Sequence, residues 1–180
     1  MSEKHISLDI EACGEVLMSV GLCSFDIQTG SPLSELYVVF PIQEQLKAGL
    51  KMEEGAFLWW LDQDKSAREA ITKNQPKFPD DMKVQLEKVK KWWPDFEAFT
   101  WAYPTSYDLP IVERAFKTFG MKPPWKWTKT MDARTLWQLA MLRQPGIEKV
   151  EAVNPIPHHA LEDAKEQAYW ISAYWKAVVS

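Results

Sequence analysis

Residues 7–12 read Ser7-Leu8-Asp9-Ile10-Glu11-Ala12. With Ile6 included, Ile6, Leu8 and Ile10 alternate with Ser7, Asp9 and Glu11, which is the period of a β-strand. Alternation places Asp9 and Glu11 on one face, roughly 6–7 Å apart along the backbone. On a central, buried strand two such carboxylates repel each other. Without a counter-charge, their burial costs on the order of several kcal/mol per ion. A divalent cation removes that cost, and an all-oxygen donor set suits Mg²⁺ or Mn²⁺ rather than zinc. The other reading of the pair is an edge strand with a solvated polar face, where an Asp and a Glu carry no function.

The 180-residue chain is long enough to build a core without metal or disulfide staples, so a single domain over residues 1–180 is expected. Apolar residues make up 46% of it, which excludes wholesale disorder. A net charge of −4 excludes a basic nucleic-acid coat protein, but not a nucleic-acid enzyme that gathers its acids around cations. The ten tryptophans serve either the core or base stacking, and they also allow an apolar homodimer interface. Cys13 and Cys23 lack CxxC spacing and read as buried thiols. Met-Ser-Glu-Lys-His carries no apolar leader, and no apolar run reaches the ~18 residues of a membrane span. The expectation is a soluble, cytoplasmic protein.

Beyond the first strand, Val16–Ile27 and Leu33–Ile42 are β-rich and separated by the turn Gln28-Thr29-Gly30-Ser31-Pro32. Short connections make the three strands an antiparallel meander. From Gln43 to Ile71 the period is helical, interrupted near Glu54-Gly55. Asn74–Asp80 is a loop. Asp80 or Asp81 caps a helix in which Met82, Leu86, Val89 and Trp93 recur at helical spacing, stopped by Pro94. Glu97–Ala102 is a fourth strand, reached through a helix and so parallel to the first. Tyr103–Ser106 is a loop, Asp108–Phe119 a helix closed by Gly120, and Trp125–Lys129 a short strand. Asp132–Leu142 is a helix, Gln144–Pro157 a loop and Ala160–Val179 the last helix. The order predicts an α/β fold, a mixed five-stranded sheet with helices on its faces.

Four acids fall where strand ends and helix starts gather: Asp9 and Glu11 on strand one, Asp108 after strand four, and Asp163 in the first turn of the last helix. Singly, Asp108 and Asp163 also read as acids favoured by a helix dipole. His158-His159-Ala160-Leu161-Glu162-Asp163-Ala164 has the form H-x-A-x-x-D-A. Ala160 permits close approach to the sheet. His158, in the loop before the helix, can swing over the site, and a histidine titrating near about 6.5 can take a proton from water at neutral pH. His159 is its competitor, and His5 has no companion motif and reads as structural.

DIE at 9–11, YDLPIVERAF at 107–116 and HHALEDA at 158–164 resemble the three motifs of the DEDDh 3′–5′ exonucleases, which have a ribonuclease H-like fold. The motif WWLxQxxxAR, carried by Trp59, Trp60, Leu61, Gln63, Ala67 and Arg68, and the segment Asp132-Ala133-Arg134-Thr135-Leu136 are similar to the branch containing phage exodeoxyribonuclease A and a mycobacterial exoribonuclease. One departure is the loop Trp101–Ser106, where relatives often carry a small polar or Asn-Gly element.

The resemblance implies a metal-dependent 3′–5′ exonuclease on single-stranded DNA or RNA 3′ ends that releases nucleoside 5′-monophosphates. Two Mg²⁺ or Mn²⁺ ions would be held by Asp9, Glu11, Asp108 and Asp163, with His158 as general base. Candidate substrate contacts are Trp60, Gln63, Tyr107 and Arg134, with Trp101, Lys126 and Lys129 as further candidates. Two other functions fit the same fold. One is a catalytically silent nucleic-acid or protein-binding module; the other is an oligoribonuclease-like trimmer of short fragments.

Overall fold

The strand around Asp9 is β1, His5–Cys13, and it lies at the centre of the sheet. In this computed structural model, which describes residues 4–73, 75–76, 81–147 and 154–180, five strands run in the order β3-β2-β1-β4-β5. They are β2 Val16–Phe25, β3 Pro32–Val39, β4 Phe99–Ala102 and β5 Thr130–Asp132. The first three form the antiparallel meander, while β4 pairs parallel with β1 and β5 parallel with β4. β4 pairs with β1 only over His5–Ser7, so burial rather than strand order excludes a solvated face for the acids: Glu11 is 6% exposed and Asp9 is partly buried. The mixed sheet flanked by helices is consistent with the ribonuclease H-like exonuclease fold.

The helices are α1 Ile42–Lys47, α2 Glu54–Leu61, α3 Lys65–Thr72, α4 Asp81–Trp92, α5 Thr105–Thr118, α6 Ala133–Arg143 and α7 Ala160–Val179. Period-two alternation sorts β1 between two layers. Ile6, Leu8 and Ile10 pack in one core with Met82, Leu86 and Val89 of α4 and Leu109, Val112 and Phe116 of α5. Across the sheet, Phe25 and Trp101 pack with Leu136 and Ala140 of α6 and Ala164, Ala168 and Ile171 of α7. The Ser7-Asp9-Glu11 face of β1 therefore looks toward α7.

Several boundaries differ from the sequence expectation. β3 ends at Val39, and Ile42 already begins α1. The buried Gln45 side chain draws α1 onto β2, accepting from Leu17 N and donating to Leu17 O and Pro41 O. The helical stretch 43–71 is three short helices. Its first break precedes Glu54, because residues 51–53 are pulled against the β1–β2 turn. There Glu15 N donates to Lys51 O, and Gly14, at φ +62°, leaves only 2.7 Å between a would-be Cβ and Glu53 N. The strand expected at Trp125–Lys129 is displaced. Trp125 turns into the core, Trp127–Lys129 form a 3₁₀ turn, and β5 follows at Thr130. The last helix matches its expected span. Most of the expected loop at 74–80, including Asp80, and residues 148–153 of the expected 144–157 loop lie outside the described residues.

His5 is buried and accepts a hydrogen bond from Trp101 Nε1 at 3.1 Å, a structural role as expected. Cys13 and Cys23 are free and buried. Among the described residues no helix is long and apolar enough to cross a membrane.

Candidate active site

The acids of β1 are met from two sides. Asp9 pairs across the strands with Gly21 of β2, and a Cβ on Gly21 would fall 2.1 Å from the Ala160 carbonyl. A bare glycine opposite Asp9 and a fully buried alanine at the start of α7 thus let the helix begin directly over β1–β2. Asp163, in the first turn of α7, is carried to the same place. Ligand atoms of Glu11, His158 and Asp163 all lie within 4.8 Å of one another. The register of β1 against β2 shifts just beyond Glu11, a bulge of the kind that re-aims side chains beside sites.

Asp108 arrives from the other side on α5. This helix starts at Thr105, three residues earlier than the sequence suggests, because its first turn is capped from a distance. Asp132 Oδ2 accepts from Thr105 N at 2.9 Å and from Thr105 Oγ1 at 3.0 Å. Its Oδ1 accepts from Thr135 N at 2.8 Å and Thr135 Oγ1 at 3.0 Å. One carboxylate at the end of β5 therefore caps both α5 and α6. Burial alone would raise its pKa, but these donors hold Asp132 below the ordinary carboxylate range.

The four clustered acids behave in the opposite way. Burial, then the charges of Asp108, Glu11 and Asp163, push Asp9 well above its usual value, against a hydrogen bond from Gln167. Burial, then Asp163 and Asp108, push Glu11 up to about 8. Burial takes Asp108 up to about 7 despite a backbone donor from Tyr103. Burial also raises Asp163, although the Asn154 amide donates to it. Among the described residues, no lysine or arginine pairs with any of the four. Asp108 Oδ2 is buried with no hydrogen-bond partner among the described residues. Repelling carboxylates with an orphaned oxygen lack positive charge, which a cation held by hard oxygen donors would supply.

The two histidines separate cleanly. His158 has a positive φ of 61°, which turns the chain just before α7. Its ring meets Trp59 edge to face at 4.8 Å and belongs to the acidic cluster. His159 faces away, stacked on Tyr37 of β3 at 4.2 Å. Trp60 needs correction as a site-lining residue. It is buried among Cys13, Met18, Ala67 and Ile71 and donates its Nε1 to Ala12 O at 3.0 Å. The half-exposed indole beside His158 is Trp59. Tyr107 is half-exposed, and its pKa is raised by partial burial and then by the nearby charges of Asp108 and Glu11. Trp101 lies in the core and offers no stacking face.

Gln63 and Arg68 turn back on their own helix pair. Gln63 Nε2 donates to Trp59 O at 2.9 Å and Arg68 Nη1 to Leu61 O at 2.8 Å, so both satisfy carbonyls at the end of α2. Arg134 is exposed, with its guanidinium 5.2 Å from the Tyr103 ring. Lys126 pairs with Glu97, and Lys129 lies over Phe99 at 4.3 Å.

Residues 4–175 match the model of the 3′–5′ exoribonuclease Rv2179c-like domain. The chain belongs to this family. No curated protein matches it in sequence. Membership makes nucleic acid the substrate class, and the meeting of β1, α5 and α7 is where the geometry gathers reactive groups. Sequence reading missed two polar neighbours of these acids. Gln167 donates to Asp9 Oδ1 at 2.6 Å, and Asn154 bridges Asp163 and Glu166. Gln167 was signalled by its position four residues after Asp163, on the same helix face.

Proposed function

We propose that the protein is a DEDDh-type exonuclease that removes nucleoside 5′-monophosphates from the 3′ end of single-stranded RNA. The observation that carries this reading is the convergence of Asp9, Glu11, Asp108 and Asp163, short of positive charge, beside His158 on a chain of an exoribonuclease family. The four carboxylates would hold two Mg²⁺ or Mn²⁺ ions, whose chemistry is to activate water and neutralise charge on the phosphodiester.

The chain's own groups set the rest. A ring nitrogen of His158 takes the proton from the water that attacks the terminal phosphorus. The bond from phosphorus to the 3′ oxygen of the preceding nucleotide breaks, and that oxygen leaves with the shortened strand. Trp59 and Tyr107 border the cluster with half-exposed rings, and they offer stacking faces for the terminal base. Exposed Arg134 is available to phosphate farther along the strand.

The test uses RNA and DNA oligonucleotides of one sequence, labelled at the 5′ end, with Mg²⁺, Mn²⁺ or EDTA. An RNA ladder shortening from the 3′ end, absent in EDTA, is the expected result. Labelled strands that stay full-length for both polymers with either metal would leave a binding module as the better account.

A further inference from the structure

We propose that Gln167 is a positioning residue for Asp9: its amide fixes the rotation of that carboxylate so that Asp9 can serve as a cation ligand. The inference rests on the reading of Asp9 given above.

Gln167 lies in the second turn of α7, one turn beyond Asp163, so both reach β1 from the same helix face. It is 3% exposed, in a helix whose inward neighbours Ala164, Ala168 and Ile171 are apolar. Packing alone would be met there by an aliphatic side chain, and burying an amide is costly unless its polar atoms find partners. Both ends of this amide face β1. Nε2 donates to Asp9 Oδ1 at 2.6 Å, and Oε1 stands 3.5 Å from the Ser7 hydroxyl, two residues before Asp9 on the same face. An ionised Asp9 only accepts, which turns NH₂ rather than oxygen toward it, and the Ser7 hydroxyl then donates to Oε1.

The choice of a neutral donor follows from the charges. Asp9 lies beside three other carboxylates and needs support that does not itself act as a counter-ion. A lysine or arginine at this position would pair with Asp9 and compete with a divalent cation. An amide orients the carboxylate while leaving its charge for the metal, as partners of metal ligands commonly do.

The test compares wild type with Gln167→Met, which keeps volume and removes the donor, and Gln167→Asn, which draws the donor back by one methylene. Mn²⁺ binding to the metal-free protein is measured by titration calorimetry, and kcat and KM on single-stranded RNA are measured separately. The expected result is a Mn²⁺ Kd raised about 10–100-fold in Gln167→Met, an intermediate rise in Gln167→Asn, and a loss in kcat with KM for RNA little changed. A purely structural glutamine would lower the melting temperature and leave the Mn²⁺ Kd unmoved, and that result overturns the proposal. Should Gln167→Met fail to fold, an unchanged Kd in Gln167→Asn overturns it equally. A wild type that binds no Mn²⁺ removes the reading of Asp9 itself, and the inference with it. A wild type that binds Mn²⁺ and degrades RNA beside variants that match it removes the inference alone.

Discussion

Gly21 of β2 and Ala160 of α7 are in backbone contact, with no room between them for a methyl group: a Cβ on Gly21 would lie 2.1 Å from the Ala160 carbonyl. Gly21 is also the cross-strand partner of Asp9. This contact therefore sets how near Asp163 and His158 come to the β1 acids.

Gly21→Ala should force α7 off the sheet. The expected cost is about 1–3 kcal/mol in urea unfolding, the usual range for overpacking a tight contact. Mn²⁺ affinity should fall as well, because Asp163 moves away from Asp9. Unfolding and Mn²⁺ titrations that both matched the wild type would contradict the close approach.

Stability should depend on pH with a definite sign. Glu11 is pushed up to about 8 and Asp108 to about 7, whereas in an unfolded chain such groups titrate near about 4. Between those values the folded, cation-free protein holds more protons than the unfolded chain. Their contribution is full below the unfolded pKa and is lost as pH rises through the folded one. The melting temperature in EDTA should therefore fall from pH 5 to pH 8, and Mg²⁺ or Mn²⁺ should restore it at pH 8. A melting temperature that rises over this range in EDTA would count against the buried acidic cluster.

The neighbouring histidines should behave differently. His158→Ala should lower the rate on RNA by about 10²–10⁴-fold, the usual worth of a general base. His159→Ala removes a ring stacked on Tyr37, so its effect should appear in thermal unfolding, with the rate within several-fold of wild type. Steady-state rates for the two variants decide the matter, and a larger loss in His159→Ala would reverse their roles.

Asp9, Glu11 and Asp163 could be singled out because period-two alternation and the H-x-A-x-x-D-A spacing are local patterns, and Asp108 because it opens a helix after a strand. Long-range contacts were not. Asp132 binds Thr105 across 27 residues, so nothing in YPTS shows that α5 starts there. Adjacent residues on a helix point about 100° apart, so Trp59 and Trp60 cannot both face the site. The Ala12 carbonyl, which accepts from Trp60, decides which of them turns inward. Gln63 and Arg68 look chemical in sequence because they are polar and belong to a motif, yet each gives one donor to a carbonyl at the end of α2. Gly21 carries no local signal, because the β-rich stretch around it reads as a strand with or without a glycine.

Asp132→Ala should expose the dependence of two helices on one carboxylate. It removes the caps of α5 and α6 together, each worth about 0.5–2 kcal/mol. The summed loss, about 1–4 kcal/mol, should appear in chemical denaturation. Asp132→Asn keeps one acceptor oxygen and should lose less. Equal stability of all three proteins would remove the double cap.

The most direct measurement is the time course of 5′-labelled single-stranded RNA in Mg²⁺ with wild type and Asp9→Ala, run beside melting curves of both proteins. The account predicts stepwise shortening from the 3′ end by the wild type and a rate at least about 100-fold lower in the variant, which still melts cooperatively. Equal rates for the two folded proteins would contradict the assignment of catalysis to this cluster.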